Sequence, residues 1–253
     1  MTWAGDRQHF DLLRHSLERS PLAAVPHDVV VQEEDLLQFE RYRKASLRLI
    51  SSRDVLPDQV EASRRQARRW QQRLGRRLTT AAGSLARYTG QPRWVRYTGW
   101  HTQQLCKLAM VAASEVDTVV VLDSDLIVTA HADTQDFIHG EGGAVCYQNW
   151  LSAAELSTKV RHWQATAHRL LGLDVPDEGP FDCYYDTPFV FHAPAVREML
   201  SWLETRYGQP WWQTLLAQPP RRWSEFGTYR TFLRHHYNES VKWRDCEQMG
   251  YPG

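Results

Sequence analysis

The chain of 253 residues is long enough to bury one sizeable core, and its 30 basic residues balance 30 acidic ones, so net charge names neither nucleic acid nor an anionic membrane as the main partner. Cys106, Cys146, Cys183 and Cys246 are scattered without C-x-x-C spacing, which excludes a zinc ribbon or a secreted disulfide scaffold and is the usage expected in a reducing cytoplasm. No basic run followed by an apolar run opens the chain, and no apolar stretch approaches the ~20 residues that span a bilayer, so a single cytoplasmic domain with at most peripheral membrane contact is expected.

Phe10, Leu13 and Leu17 recur at helical spacing and predict a helix over 7–19, which Pro21 stops. Residues 28–32 form a short apolar run suited to a buried strand, 33–44 read as a second helix, and 47–50 as a second strand ending at Ser51 and Ser52. This alternation of helix and strand points to a parallel α/β sheet. Residues 58–78 predict a helix with arginines at 64, 65, 68, 69, 73, 76 and 77, read either as a solvated cationic face or as a peripheral patch for a phosphorylated acceptor or anionic lipid.

Gly99 and Trp100 introduce a helix with Leu105, Leu108 and Val111 as its apolar stripe, and 117–122 is a strand that runs straight into an acidic turn. A strand is expected over 144–147, then a helix capped by Ser152 and reaching about residue 171, and an irregular loop over 173–185. Residues 187–192 read as a strand, Pro194 opens a helix ending near residue 206, Pro210 starts a short one, and Ser224 is the expected N-cap of a helix over 225–235 with Glu225 in its first turn. Of eleven tryptophans, Trp94, Trp100, Trp150, Trp211, Trp212 and Trp223 sit in polar settings, either as core-edge residues or as faces for carbohydrate C–H groups.

The segment V-V-V-L-D-S-D-L-I-V over 119–128 delivers Asp123 and Asp125 at the C-terminal end of a strand, the edge where open α/β sheets bind ligands. In extended backbone, residues i and i+2 share one side, so both carboxylates are expected to face one site. Mg²⁺ and Mn²⁺ take such hard oxygen ligands, completed by water and phosphate, and their charge favours a diphosphate leaving group. A bare D-x-D is also a common turn; the apolar residues on both sides place the acids where solvation is limited, which favours the metal reading.

With this motif in view, the sequence resembles the GT-A glycosyltransferases, and it is more specifically similar to a bacterial family of glycosyltransferase-like proteins labelled as a domain of unknown function. The blocks that carry the resemblance are S-L-E-R-S at 16–20, G-W-x-x-Q-Q-L-x-K-L at 99–108, D-S-D at 123–125 and W-S-E-F-G-T-Y at 223–229. It implies one GT-A-like, Rossmann-like α/β domain with a mixed, mainly parallel central sheet flanked by helices, its donor half over about 1–130 and its acceptor half over about 131–253. The implied activity moves a sugar from a nucleotide-diphosphate donor to a hydroxyl of a carbohydrate or glycolipid acceptor, in the synthesis of cell-surface polysaccharide or glycolipid.

By that resemblance Asp123 and Asp125 would hold Mn²⁺ or Mg²⁺ and the donor, Gln104 and Lys107 would lie near the nucleotide or donor sugar, and Glu225 would be a general base on the acceptor side. GT-A folds open with an apolar strand for which residues 1–6 are too short, so either the true start lies upstream or that strand is reduced, with Thr2, Trp3 and Asp6 as what is left of its nucleotide-binding edge. A histidine near the C-terminus often completes the metal site, which makes His235, with His236, a candidate third ligand and His192 a weaker one. The plainer alternatives are a helix-surface cation for Lys107, a capping carboxylate for Glu225 and a helix-end pair for the histidines.

Two other readings use the same acids. In a haloacid-dehalogenase-like phosphohydrolase, Asp123 would be nucleophile and Asp125 acid, with Asp182 and Asp186 imitating a later acidic pair that here lacks its apolar strand. A non-catalytic carbohydrate-binding module is the other, against which a retained pair of buried carboxylates argues. Residues 174–186 are expected to form a lid over the donor.

Overall fold

The computed structural model describes residues 1–89, 99–140, 142–219 and 221–248. Helix α1 (Arg7–Glu18) buries Phe10, Leu13 and Leu17, as their spacing requires. Strands β1 (His27–Val31) and β2 (Leu47–Ser51) pair in parallel, His27 opposite Leu47 and Val31 opposite Ser51, and Thr2 adds one parallel bridge to Val31. The single helix expected over 33–44 is instead a 3-10 turn (Glu33–Asp35), the short helix α2 (Leu36–Phe39) and a second 3-10 turn (Glu40–Tyr42). Asp35 is held by the Ala4 amide at 3.0 Å and by Arg68 at 2.8 and 3.1 Å. The three-residue step of the following turn sets Phe39 and Tyr42 together against Phe10, with centroids at 5.6 and 5.1 Å.

After α3 (Ser52–Val55), the arginine-rich helix α4 (Asp58–Thr89) turns at Gly75, whose φ of +78° a side chain would disfavour. Its arginines are not one solvated face. Arg64 is 3% exposed and bonded to Glu61 and Glu34, and Arg68 reaches Asp35, so these two hold α4 to the 33–35 turn; Arg69 and Arg73 face outward. Burial alone would raise the Asp35 pKa, but the Arg68 and Ala4 hydrogen bonds outweigh it and hold it below its ordinary 3.8. A lowered folded pKa contributes stability that is present above the unfolded value and lost as pH falls through the folded one. Resistance to unfolding by urea should therefore fall below about pH 3.8. That acid-side slope should shrink in Arg68→Met, and an unchanged slope would remove Asp35 as its source.

Helix α5 (Trp100–Ala112) precedes β3 (Thr118–Val121), followed by β4 (Ile138–His139), β5 (Gly143–Gln148), β6 (Trp150–Leu151) and α6 (Thr158–Leu171). Ser157 caps α6 by accepting the Val160 amide at 3.3 Å; Ser152 instead donates to Glu155, closing a turn over 153–155 that comes before the helix. Strands β7 (Phe181–Asp182) and β8 (Phe189–His192) lead to α7 (Ala193–Tyr207), α8 (Trp211–Leu216), α9 (Glu225–His236) and β9 (Lys242–Asp245).

The chain is thus mixed α/β with several small sheets, and the expected single, mainly parallel sheet is not what the pairing gives. β3 pairs antiparallel with β8, Thr118 opposite His192 and Val121 opposite Phe189. β4–β5 and β6–β7 are antiparallel as well, which leaves parallel pairing to β1–β2 and β5–β9. One core joins Leu105, Leu108 and Val111 of α5, Phe189 and Phe191 of β8, Met199 of α7 and Phe226, Tyr229 and Phe232 of α9, all buried. Phe189 stacks on Phe226 at 4.0 Å, fixing the start of α9 over β8. Each such side chain contributes roughly 1.5–3 kcal/mol by leaving water. Among the described residues no helix is long and apolar enough to cross a membrane.

Candidate functional site at the end of strand β3

The site forms where α5, the end of β3 and the first turn of α9 meet. Helix α9 starts there because Ser224 accepts the Gly227 amide at 3.4 Å, while the fully buried Trp223 anchors the preceding turn. A second free amide of that turn, Glu225 N–H, donates to the side-chain oxygen of Gln104 on α5 at 3.0 Å. Lys107 lies on the same face of α5 as Gln104, one turn on. Its Nζ is 3.1 Å from Asp123 Oδ1, 3.2 Å from Glu225 Oε1 and 4.5 Å from the Phe226 ring centroid. Thr187 donates to Asp123 Oδ2 at 3.5 Å, and Ser224 to Glu225 Oε2 at 3.4 Å.

Burial works against the Lys107 charge, yet Glu225 and then Asp123 more than offset it and raise its pKa above the ordinary 10.5. Lys107 is therefore a firm cation. Burial is also the main influence on Glu225 and pushes its carboxyl up, with Lys107 pulling the other way. Gln104 is 1% exposed and, among the described residues, its Nε2 has no hydrogen-bond partner.

Gln104, Lys107, Asp123 and Glu225 are thus brought together, but not all in the roles expected of them. Glu225 is 4% exposed and both its oxygens are engaged, so it holds Lys107 and is not open to an acceptor as a general base. The Asp123 side chain is 36% exposed and Asp125 is exposed outright, so the limited solvation expected of both acids is absent at Asp125, which lies past the end of the paired strand. Asp6 closes the 3-10 turn Ala4–Asp6, its amide donating to the Trp3 carbonyl at 3.0 Å.

The histidines lie elsewhere. His235 is ten residues beyond Glu225 on α9, about 15 Å along the axis, exposed and with its ring 6.4 Å from His168. His236 stacks on Phe232 at 4.4 Å, and His192 pairs with Thr118, at the opposite end of β3 from Asp123. None of them reaches the acids. Among the described residues no three His, Cys, Asp or Glu side chains group as a metal site. Asp123 and Asp125 fit a divalent ion only in the sparse mode Mg²⁺ tolerates, two carboxylates completed by water and phosphate, with Asp123 Oδ1 already beside Lys107.

Much of the expected lid is fastened down. Phe181 and Cys183 are buried, Asp182 is ion-paired to Arg230 and Arg234, and Tyr185 receives a bond from Gln164 at 2.6 Å, which leaves 174–180 and Asp186 exposed. Trp100 stacks on Trp163 at 6.1 Å and lies edge-on to Trp223 at 5.9 Å, so these indoles line the core. Trp211 and Trp212 are partly buried against that core, Trp150 stays 40% exposed, and Trp94 lies outside the described residues. Thr187 and the Asp182–Arg230–Arg234 cluster had no local signal in the sequence. The chain belongs to a family of unknown function (DUF6492), which it matches over residues 2–249. None of the curated proteins matches it.

Proposed function

We propose that this protein is a metal-assisted glycosyltransferase that moves a sugar from a nucleotide-diphosphate donor to a hydroxyl of a carbohydrate or glycolipid. What carries the reading is the convergence of Lys107 and Asp123 at the end of β3, from segments far apart in sequence, with Glu225 and Gln104 holding them. A diphosphate leaving group needs positive charge, and Lys107 is a fixed cation at that edge. Asp123 and Asp125 would hold Mn²⁺ or Mg²⁺, which would neutralise the departing phosphates. Glu225 is a positioning residue that keeps Lys107 aimed and charged.

The Cys146 thiol lies 3.9 Å from the Val190 carbonyl, which sets β5 beside β8. With the Thr2 bridge, this supports two runs, β2, β1, Thr2 and β3, β8, β5, β9, which we take as the halves of one open mixed sheet of a GT-A-like domain. A lysine 3.1 Å from an aspartate also suits an aspartate that attacks phosphorus. Against that second reading stand the antiparallel β8 beside β3 and an Asp182 already sealed by two arginines.

Thermal unfolding with UDP, GDP, CMP, ADP and dTDP, each with Mn²⁺, Mg²⁺ or EDTA, tests the reading. A ligand at about 100 times its Kd adds roughly 2.7 kcal/mol to the native state, a melting shift of several degrees at this size. One diphosphate is expected to give that shift only with metal, and to lose it in Asp123→Asn/Asp125→Asn. No metal-dependent shift with any of the five would sink the transferase reading.

A further inference from the structure

On α9, Arg230 and Arg234 stand one turn apart and both reach a single carboxylate, Asp182 of β7, Arg234 at 3.0 Å. Two cations therefore share one anion. The neighbouring Asp245 accepts from the Gln148 side chain at 3.3 Å and the Glu247 amide at 2.9 Å, and among the described residues it pairs with neither arginine. Each guanidinium carries five N–H donors. Arg230 spends one hydrogen bond on Asp182; Arg234 bonds Asp182, Gln148 and Asn238; the Nε of both is buried without a partner among the described residues.

The walls are aromatic. Trp243 lies 3.3 Å from the Arg234 guanidinium and 5.4 Å from that of Arg230, and the exposed Trp150 lies 5.0 Å from Arg234. Indole faces fix the plane of a guanidinium without satisfying its N–H groups, which leaves the fork prepared for planar acceptor oxygens. Burial above all, with the like charge of Arg230 a lesser cause, lowers the Arg234 pKa despite Asp182, whereas the Asp182 contact raises that of Arg230.

We propose that Arg230, Arg234 and Trp150 form a binding site for an oxyanion, the phosphate or carboxylate group of a ligand, separate from the Lys107 site. Arg230 sits roughly 140° around α9 and about 7.5 Å along it from Glu225, so the two sites occupy different flanks of one helix. The proposal does not rest on the transferase reading.

Calorimetric titration in EDTA, without nucleotide, tests it with inorganic phosphate, glucuronate and neutral glucose. Phosphate or glucuronate is expected to bind at about millimolar Kd, glucose not at all, and which anion binds more tightly names the group. Arg234→Gln should weaken binding roughly tenfold or more, the worth of a charge-assisted hydrogen bond, while Asp123→Asn/Asp125→Asn binds as wild type. Should Arg234→Gln fail to give a native circular-dichroism spectrum, the surface variant Trp150→Ala carries the same test. Absence of anion binding to the wild type, or undiminished binding in the folded variants, would overturn the site; a missing metal-dependent nucleotide shift would not touch it.

Discussion

Lys107→Met is expected to lower the free energy of unfolding by about 3–5 kcal/mol, the usual result of removing one partner from a buried ion pair. The magnitude follows from where the charges sit. Lys107 and Glu225 are both nearly sealed from water, so without the ammonium the Glu225 carboxylate is left in the core facing only the Ser224 hydroxyl. Asp123, a third exposed, can fall back on solvent and adds less.

Two further readouts separate this from simple loss of packing. Glu225 already has a raised carboxyl pKa because it is buried, and removing Lys107 should raise it further. A raised folded pKa gives stability that is complete below the unfolded value and lost as pH rises through the folded one. The variant should therefore regain much of its stability near and below pH 4.5, a larger gain than that of the wild type, in which Lys107 holds the shift down. Lys107→Met/Glu225→Gln, which takes out both charges, should recover at least half of the loss at neutral pH. A single-variant cost under about 1 kcal/mol would mean that Glu225 is neutral in the native protein and that Lys107 answers to Asp123 alone.

The sequence was most legible where one physical demand acts locally. The apolar stripe of α1, the strand before Asp123 and the Ser224 cap each rest on neighbours within a turn or two, and each is found within a residue or two of where it was expected. It misled where a distant partner decides. Residues 33–44 have a helical composition, but Asp35 is claimed by Ala4 and by Arg68, and the helix breaks there. The arginine run looks uniform in sequence, yet Arg64 and Arg68 turn inward only because Glu34, Glu61 and Asp35 wait on that side. Ser152 reads as the cap of the next helix, but it is taken up by Glu155 in the turn that follows it, and Ser157 caps the helix instead.

The candidate site shows the same division. Asp123 announces itself through the strand that precedes it, whereas Gln104, Lys107 and Glu225 entered only through resemblance, because nothing local reveals that α5 faces the start of α9 across 121 residues. The Asp182–Arg230–Arg234 cluster was invisible for that reason too: its members are separated by 48 and 52 residues and follow no motif.

The second large effect is on activity, and it should divide the two aspartates by stability and unite them by function. Asp125→Asn changes an exposed side chain and is expected to move the unfolding free energy by less than about 0.5 kcal/mol. Asp123→Asn loses an ion pair, but Lys107 keeps Glu225, so the cost should stay well below that of Lys107→Met. If the pair holds the cation against a departing diphosphate, each variant alone should still slow donor turnover roughly 10²–10³-fold, the scale of losing one preorganised contact to developing charge. Turnover is measurable as metal-dependent release of nucleoside diphosphate from its sugar, with water as the acceptor. Full activity in Asp125→Asn together with none in Asp123→Asn would break the pairing, leaving Asp123 and Lys107 as the working couple and favouring attack on phosphorus over transfer of a sugar.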